Sequence, residues 1–301
     1  MNARLDWLRD GTDWPHREHS RFVDAGGVRW HVQIAGDGPP LLLLHGAGAS
    51  THTWRDLLPR LTPRFRLIAP DLPGHAFSTA LAGSRQGLVG IAHALGELLR
   101  VLGLTPAQAV GHSAGAALML QMQFDGALRA AHLVGINGAV MPLPGLPGLL
   151  FPLAARLLAQ TSLTARVFAY RARRPGAVER LVASTGSMLD ARGLDLYTRL
   201  VRNPAHVEGV LRMMAHWDVA PLLQGLPRID AQVTLIASAG DRTVPPDNSR
   251  RAARLLRHGE VRLLDSGGHL AHEEQPALFA TLISAAADAP CPDVPAARTV
   301  R

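Results

Sequence analysis

The chain has 301 residues, 47% hydrophobic and 18% charged, and carries a formal net charge of +7. This composition suits one large or two smaller packed domains and excludes a disordered chain. A single cysteine, Cys291, excludes an intramolecular disulfide framework and argues against a cysteine-based nucleophile or metal site.

In chain order, the opening MNARLDWLRDGTDWPHREHS has no apolar stretch of the kind a secretory signal needs, which predicts a cytoplasmic protein. Short apolar runs then alternate with longer Ala/Leu-rich patterns, the signature of βα units on a mostly parallel sheet. Strands are expected at 21–25 and 28–35, joined through Gly26-Gly27 as a tight antiparallel hairpin. Further strands are expected at 41–45, 65–70, 107–112, 131–136, 233–238 and 260–264. Helical patterns fill 51–61, 86–102, 114–124, 247–257 and 270–287.

The third strand ends in LLLLHGAGAS, where His45 is followed by Gly46, Ala47, Gly48 and Ala49. Side chains this small point to the backbone as the working part. Further on, DLPGHAFS places His75 where it could line the mouth of a site or brace its own loop.

The strongest local signal is AVGHSAGAAL. A strand at 107–112 runs into Gly111-His112-Ser113-Ala114-Gly115 and a helix follows at once, the strand–turn–helix setting of a nucleophile elbow. A serine on so sharp a turn is strained, and flanking glycines admit close backbone approach. The helix that follows aims its first N–H groups at charge developing beside Ser113. A serine that merely caps the helix is the bland alternative. His112 lies inside the elbow, with its side chain expected to point away from the serine.

The alternation of strand and helix stops between residues 139 and 217, which read as several helices with breaks at Pro175-Gly176, Gly193 and Asn203-Pro204. They are best explained as a helical cap inserted after the sixth strand, which ends in Gly135-Ile136-Asn137-Gly138 without a carboxylate. Asn137 there is a candidate site-lining residue. Residues 130–155 contain no charged side chain, yet Pro142, Pro144, Pro147 and Pro152 argue against a transmembrane helix. Peripheral contact of the cap with a membrane surface stays open. All basic residues are arginine, and residues 139–216 hold ten of them against Glu179, Asp190, Asp195 and Glu208. Without aromatic interleaving or a helix-turn-helix pattern, this argues against nucleic acid and leaves an anionic ligand or partner open.

An alcohol nucleophile needs a base, and the base an orienting acid, in the chain order serine, acid, histidine. Asp241 in AGDRTVPP and His269 in DSGGHLAHEEQP each follow a strand's carboxyl end, the same sheet edge as Ser113. Asp218, as a cap of the helix around Pro221, and Asp265, at a strand end, are rivals for the acid. His272 is the rival for the base, expected as a surface residue at a helix start. In this setting the backbone N–H groups of Ala47 and Ala114 are the candidate halves of an oxyanion hole. No histidine pair has a metal-ligand spacing and no phosphate-binding glycine motif follows a strand, so no cofactor or metal is expected. From about Ala285 the chain reads as a frayed tail.

With these pieces in order the chain resembles the α/β-hydrolase family over nearly its whole length, through HGAG, DLPGHAFS, GHSAG, AGDRTVPP and GGHLAHEEQP. More narrowly it is similar to the magnesium-chelatase accessory proteins of bacteriochlorophyll biosynthesis. DWPHREHSRFVDAGGVRWHVQ, LLLLHGAGASTHTWRDLLP and TGSMLDARGLDLYTRLVRNPAHVEGVLRMMAHWD carry that likeness. Ala76 departs from the commoner glycine of the PGH loop. The resemblance implies an α/β-hydrolase fold with a mostly parallel eight-stranded sheet and helices on both faces. Its core would span 1–138 and 218–288, its helical cap 139–217 and a flexible tail 289–301. It implies a triad of Ser113, Asp241 and His269, a small ester-like or tetrapyrrole ligand, and magnesium-chelatase subunits as partners. Three functions stay open: an active serine hydrolase, a non-catalytic tetrapyrrole- or chelatase-binding protein, and a general carboxylesterase or cofactor-free perhydrolase.

Overall fold

The computed structural model describes residues 4–142 and 162–288. Eight strands form one sheet in the order β1-β2-β4-β3-β5-β6-β7-β8. They are β1 Ser20–Ala25, β2 Val28–Ala35, β3 Pro40–Leu44, β4 Arg66–Pro70, β5 Gln108–His112, β6 His132–Ile136, β7 Gln232–Ser238 and β8 Gly259–Leu264. β1 pairs antiparallel with β2, and β2 antiparallel with β4. Every other neighbouring pair is parallel, as the alternating sequence pattern requires. The carboxyl ends of β3 to β8 therefore share one edge, where the loops carrying Ala47, His75, Ser113, Asn137, Asp241 and His269 gather.

The leucine run of β3 shows how the core is built. Successive side chains of a strand point to opposite faces. Leu42 and Leu44 thus pack with Leu95 and Leu98 of α3 (Leu88–Leu102) and with Leu118 and Met122 of α4 (Ala114–Phe124). Leu41 and Leu43 pack on the other face with Trp54, Leu61 and Phe279. All four leucines are fully buried, each contributing about 1.5–3 kcal/mol of transfer free energy before chain entropy is set against it.

Two expected helices are each broken once, both by proline. The 51–61 stretch is a short 3-10 turn, Thr51–Trp54, followed by α2, Leu58–Leu61. Pro59 has no N–H for the Arg55 carbonyl, which His16 Nε2 takes instead at 2.7 Å. The 270–287 stretch divides into α11, Ala271–Glu274, and α12, Pro276–Asp288, with Gln275 out of the helical region at φ −132°, ψ 56°. The remaining helices of the sheet layers are α1 (Trp7–Asp10), α9 (Ala220–Gly225) and α10 (Pro246–Leu255).

Among the described residues, four inserted helices lie between β6 and α9: α5 (Ser162–Arg171), α6 (Ala177–Ser184), α7 (Ala191–Val201) and α8 (Pro204–Ala215). Breaks fall at Pro175-Gly176 and at Asn203, whose side chain receives the amides of Ala205 and His206. Gly193, expected as a break, lies instead in the first turn of α7. Asp190 caps that helix by accepting the Gly193 amide at 2.7 Å, so the chain turns earlier, at residues 185–190. These helices lie over the loops at the carboxyl edge. Val178, Val182 and Tyr197 pack with Ala49 and Leu270, and Leu196 and Leu200 with Ala76 and Phe77. Most of the expected apolar cap segment, the tail after residue 288 and Cys291 lie outside the described residues. No helix among the described residues is long and apolar enough to cross a membrane.

Candidate active site

Ser113 sits between β5 and α4 at φ 52°, ψ −115°, a conformation that costs a side-chain-bearing residue about 1–3 kcal/mol. Its surroundings hold it there. The Ser113 N–H donates to the Ile136 carbonyl at 3.0 Å, and its own carbonyl receives the amides of Ala116 and Ala139. A Cβ at Gly115 would lie 2.1 Å from the Leu44 carbonyl oxygen, and one at Gly111 2.4 Å from the Gly115 backbone, so the turn closes only with both glycines. The Ser113 side chain makes no capping hydrogen bond to the helix, which sets aside the bland reading.

Asp241 follows β7 and is buried. Its Oδ1 accepts the amides of Thr243 at 2.7 Å and Val244 at 2.9 Å. Its Oδ2 accepts from His269 Nδ1 at 2.8 Å. With Nδ1 carrying the proton, the Nε2 lone pair of a neutral His269 is free to act as a base. His269 and Ser113 are 7% and 9% exposed, shielded yet reachable. No hydrogen bond joins Ser113 to the His269 ring.

The loop of Gly46 to Ala49 is equally close. A Cβ at Gly46 would lie 3.0 Å from Ser113 Cβ and 2.8 Å from His112 Nδ1, so only a glycine lets this loop reach the elbow. Ala47 lies at the exposed tip of the turn that the Ala49 amide closes onto the Gly46 carbonyl. Ala114 is the first residue of α4, where an N–H has no intrahelical acceptor.

The other expected lining residues prove to be braces. His45 is buried, accepts the Leu72 amide at Nε2 and donates from Nδ1 to the Gly46 carbonyl, each at 2.8 Å. His75 is fully buried, with Nδ1 3.1 Å from the Pro73 carbonyl oxygen and its ring 5.3 Å from those of His45 and His206. Of its two expected roles, the loop-bracing one fits this placement. Burial holds both imidazoles below their ordinary pKa. His112 turns away from the serine and donates from Nε2 to the His269 carbonyl at 2.9 Å. Asn137, at φ 46°, donates to the Gly268 and His269 carbonyls at 3.0 Å each and accepts the Ser238 amide at 2.9 Å. His112 and Asn137 thus fix the backbone of His269 from beneath.

Of the rivals, Asp218 accepts the Ala220 amide at 2.9 Å where α9 begins, although the N-cap residue of that helix is Val219. His272 corrects an expectation, because it is fully buried and not a surface residue. It donates from Nε2 to Thr53 Oγ1 at 2.8 Å, and its ring lies 4.4 Å from that of His112. It faces inward because α11 packs on the 51–54 turn, and burial lowers its pKa to about 3.

Two positioning groups were not anticipated from sequence. His206, on α8, accepts the Ala76 amide at Nδ1 at 3.1 Å and donates from Nε2 to the Gly48 carbonyl at 3.2 Å. Glu273, four residues after His269, is buried beside Arg55 and accepts from Thr53 Oγ1 at 2.6 Å and from the Tyr197 hydroxyl of α7 at 2.8 Å. Burial pushes the Glu273 carboxyl up, against the pull of the guanidinium. The pair of acids in AHEEQP was the available signal for Glu273; nothing in the sequence alone marks His206.

A family model described as the alpha/beta hydrolase fold matches residues 39–276. The chain is 44% identical over 263 residues to the magnesium-chelatase 30 kDa subunit of Rhodobacter capsulatus, spanning 87% of this chain and 92% of that protein. It is 27% identical over 270 residues to 2-hydroxy-6-oxo-6-phenylhexa-2,4-dienoate hydrolase of Burkholderia cepacia, spanning 83% and 88% of the two chains. Among solved structures, an alpha/beta hydrolase fold protein from Burkholderia ambifaria superposes with a TM-score of 0.74 at 22% identity over 94% of this chain and 99% of that one, a likeness of fold alone. Eight strands in this order, an elbow serine at the end of β5 and these matches together place the chain in the α/β-hydrolase fold family.

Proposed function

We propose that the protein is a serine hydrolase acting on an ester-like carbonyl, with Ser113 as nucleophile, His269 as base and then acid, and Asp241 as the orienting carboxylate. The observation that carries this reading is the 2.8 Å bond from His269 Nδ1 to Asp241 Oδ2, on the sheet edge that also holds the strained Ser113 turn. Because Asp241 Oδ1 is occupied by two amides, Oδ2 has one orientation, and with it the imidazole.

Ser113 Oγ attacks the carbonyl carbon and its proton passes to His269 Nε2. The negative oxygen of the tetrahedral intermediate takes the N–H groups of Ala47 and Ala114; loss of one such donor costs on the order of 3 kcal/mol of transition-state stabilisation. The intermediate collapses as His269 returns the proton to the leaving alkoxide. Water, deprotonated by the same nitrogen, then attacks the acyl-Ser113 ester and releases the acid.

A fluorophosphonate probe tests this directly. Wild-type protein should label at Ser113, Ser113→Ala should not, and His269→Ala should label at least about a hundredfold more slowly. Complete failure of the folded wild-type protein to label overturns the assignment.

A second reading concerns the biological setting. The 44% identity to a magnesium-chelatase 30 kDa subunit spans 87% of the chain and so takes in inserted helices as well as the sheet. It supports a role beside magnesium chelatase in tetrapyrrole biosynthesis. The inserted helices could then bind a flat, apolar, carboxylate-bearing ligand or the chelatase itself, with exposed Arg171, Arg173 and Arg174 as anion-facing groups. Spectral titration with protoporphyrin and with its magnesium form checks the ligand. Saturation at micromolar protein is expected, and an unchanged Soret band would remove the tetrapyrrole from this reading.

A further inference from the structure

The four residues Thr185-Gly186-Ser187-Met188, between α6 and α7, touch the catalytic loops with backbone as much as with side chain. One carbonyl oxygen, that of Thr185, accepts the Arg242 amide at 3.1 Å and the His269 amide at 3.2 Å. The first of these amides is one peptide beyond Asp241, and the second is the backbone of the histidine itself. Ser187 Oγ accepts the Leu270 amide at 2.8 Å. The Met188 amide donates to Glu274 Oε1 at 2.6 Å, and Glu274 Oε2 accepts the Gly268 amide at 2.8 Å.

The contact surface itself is made of glycine. A Cβ at Gly186, whose φ is 84°, would lie 2.0 Å from the Gly240 carbonyl oxygen. A Cβ at Gly268 would lie 2.3 Å from the Gly186 carbonyl carbon. Three segments meet here with no side chain between them. The Thr185 carbonyl is in turn fixed by the end of α6, because the Thr185 amide and hydroxyl both donate to the Val182 carbonyl, at 3.0 Å and 2.6 Å.

We propose that residues 185–188 are a positioning element for the acid–base pair, setting the separation of the Asp241 and His269 loops so that the inserted helices form a fixed wall of the site. This rests on the hydrolase reading of Asp241 and His269. An imidazole oriented by a carboxylate needs its geometry held to a fraction of an ångström, and the two loops come from different strands. A single acceptor shared by both loops supplies that constraint more directly than two separate anchors would.

Gly186→Ala and Ser187→Ala test it, with Val101→Ala as control because that side chain is 48% exposed on α3, outside this element. With 4-nitrophenyl acetate as probe, Gly186→Ala should lower kcat at least tenfold with little change in KM. Val101→Ala should match wild type. Two readouts need no activity: amide hydrogen exchange at Arg242 and His269, and the downfield proton resonance of His269 Nδ1. Both should report loosening in Gly186→Ala and, more weakly, in Ser187→Ala. A folded Gly186→Ala protein with wild-type exchange and proton resonance overturns the proposal. Should Gly186→Ala not fold, unchanged exchange at His269 and Leu270 in Ser187→Ala overturns it. Wild-type protein that resists fluorophosphonate would refute the hydrolase reading, whereas the exchange and resonance data would still decide the clamp.

Discussion

Ala76 and His206 lie 130 residues apart in sequence, and the backbone amide of the first donates to the imidazole Nδ1 of the second at 3.1 Å. Ala76 sits at φ 38°, in the left-handed region that an alanine enters only at a cost. The other nitrogen of the same ring donates to the Gly48 carbonyl beside the proposed oxyanion donor Ala47. One imidazole thus ties α8 to two loops of the site.

Replacing that ring should therefore loosen catalysis as well as stability. His206→Ala leaves the Ala76 amide without its acceptor in a buried place, and should cost about 1–3 kcal/mol in denaturant unfolding. The rate of fluorophosphonate labelling should fall about tenfold, since the loop of the proposed oxyanion donor Ala47 loses its tie. His206→Gln, which can donate and accept, should recover part of both. Equal labelling rates in all three proteins would remove His206 from the catalytic geometry.

Acid should destabilise this fold in a defined window. Burial lowers the pKa of His206 from 6.5 to about 4, and burial also holds His45, His52, His75 and His112 below their ordinary value. Between those limits the unfolded chain binds more protons than the folded one, so stability rises with pH. The contribution of His206 is complete above pH 6.5 and is lost as pH falls through about 4. Urea midpoints measured from pH 4 to 7 should climb throughout, with a shallower slope in His206→Gln.

The strain at Ser113 predicts a trade of stability against activity. At φ 52° a glycine is relaxed where serine is not. Ser113→Gly should lose all labelling and yet unfold at a temperature equal to or a few degrees above wild type, a gain of up to about 1 kcal/mol. Ser113→Ala keeps the Cβ and should show no such gain. Calorimetry of the three proteins decides it.

Removing one partner of the buried Arg55–Glu273 pair leaves a charge uncompensated in the interior. Arg55→Met should cost about 3–5 kcal/mol. Adding Glu273→Gln should return much of that loss, because glutamine is neutral and its carbonyl oxygen can still accept from Thr53 and Tyr197. Chemical denaturation of the single and double variants checks this non-additivity.

Much of the fold was legible because its signals are local. The run LLLL in β3, the Gly26-Gly27 hairpin and the strand–GHSAG–helix sequence each declare their structure within about ten residues. Strand ends agree with the structure to within one residue, since apolar runs on a parallel sheet are bounded by glycine and polar residues. Helices failed where a local rule was outweighed. The apolar pattern of 51–61 reads as one helix, but Pro59 withholds the N–H that would have continued it. The Gly193 break failed because the cap from Asp190 keeps that residue inside α7.

Sequence by itself determined the βα order, the elbow and the candidate acid and base at strand ends, because periodicity and turn chemistry act between neighbours. Only the tertiary structure decided what each remaining histidine does. His45, His75, His112, His206 and His272 are alike in sequence, and their roles follow from which carbonyl, amide or hydroxyl lies within 3.2 Å once the sheet has closed. The shared carbonyl of Thr185 is the extreme case, since no side-chain pattern encodes a backbone acceptor for two loop amides that lie 57 and 84 residues further along the chain.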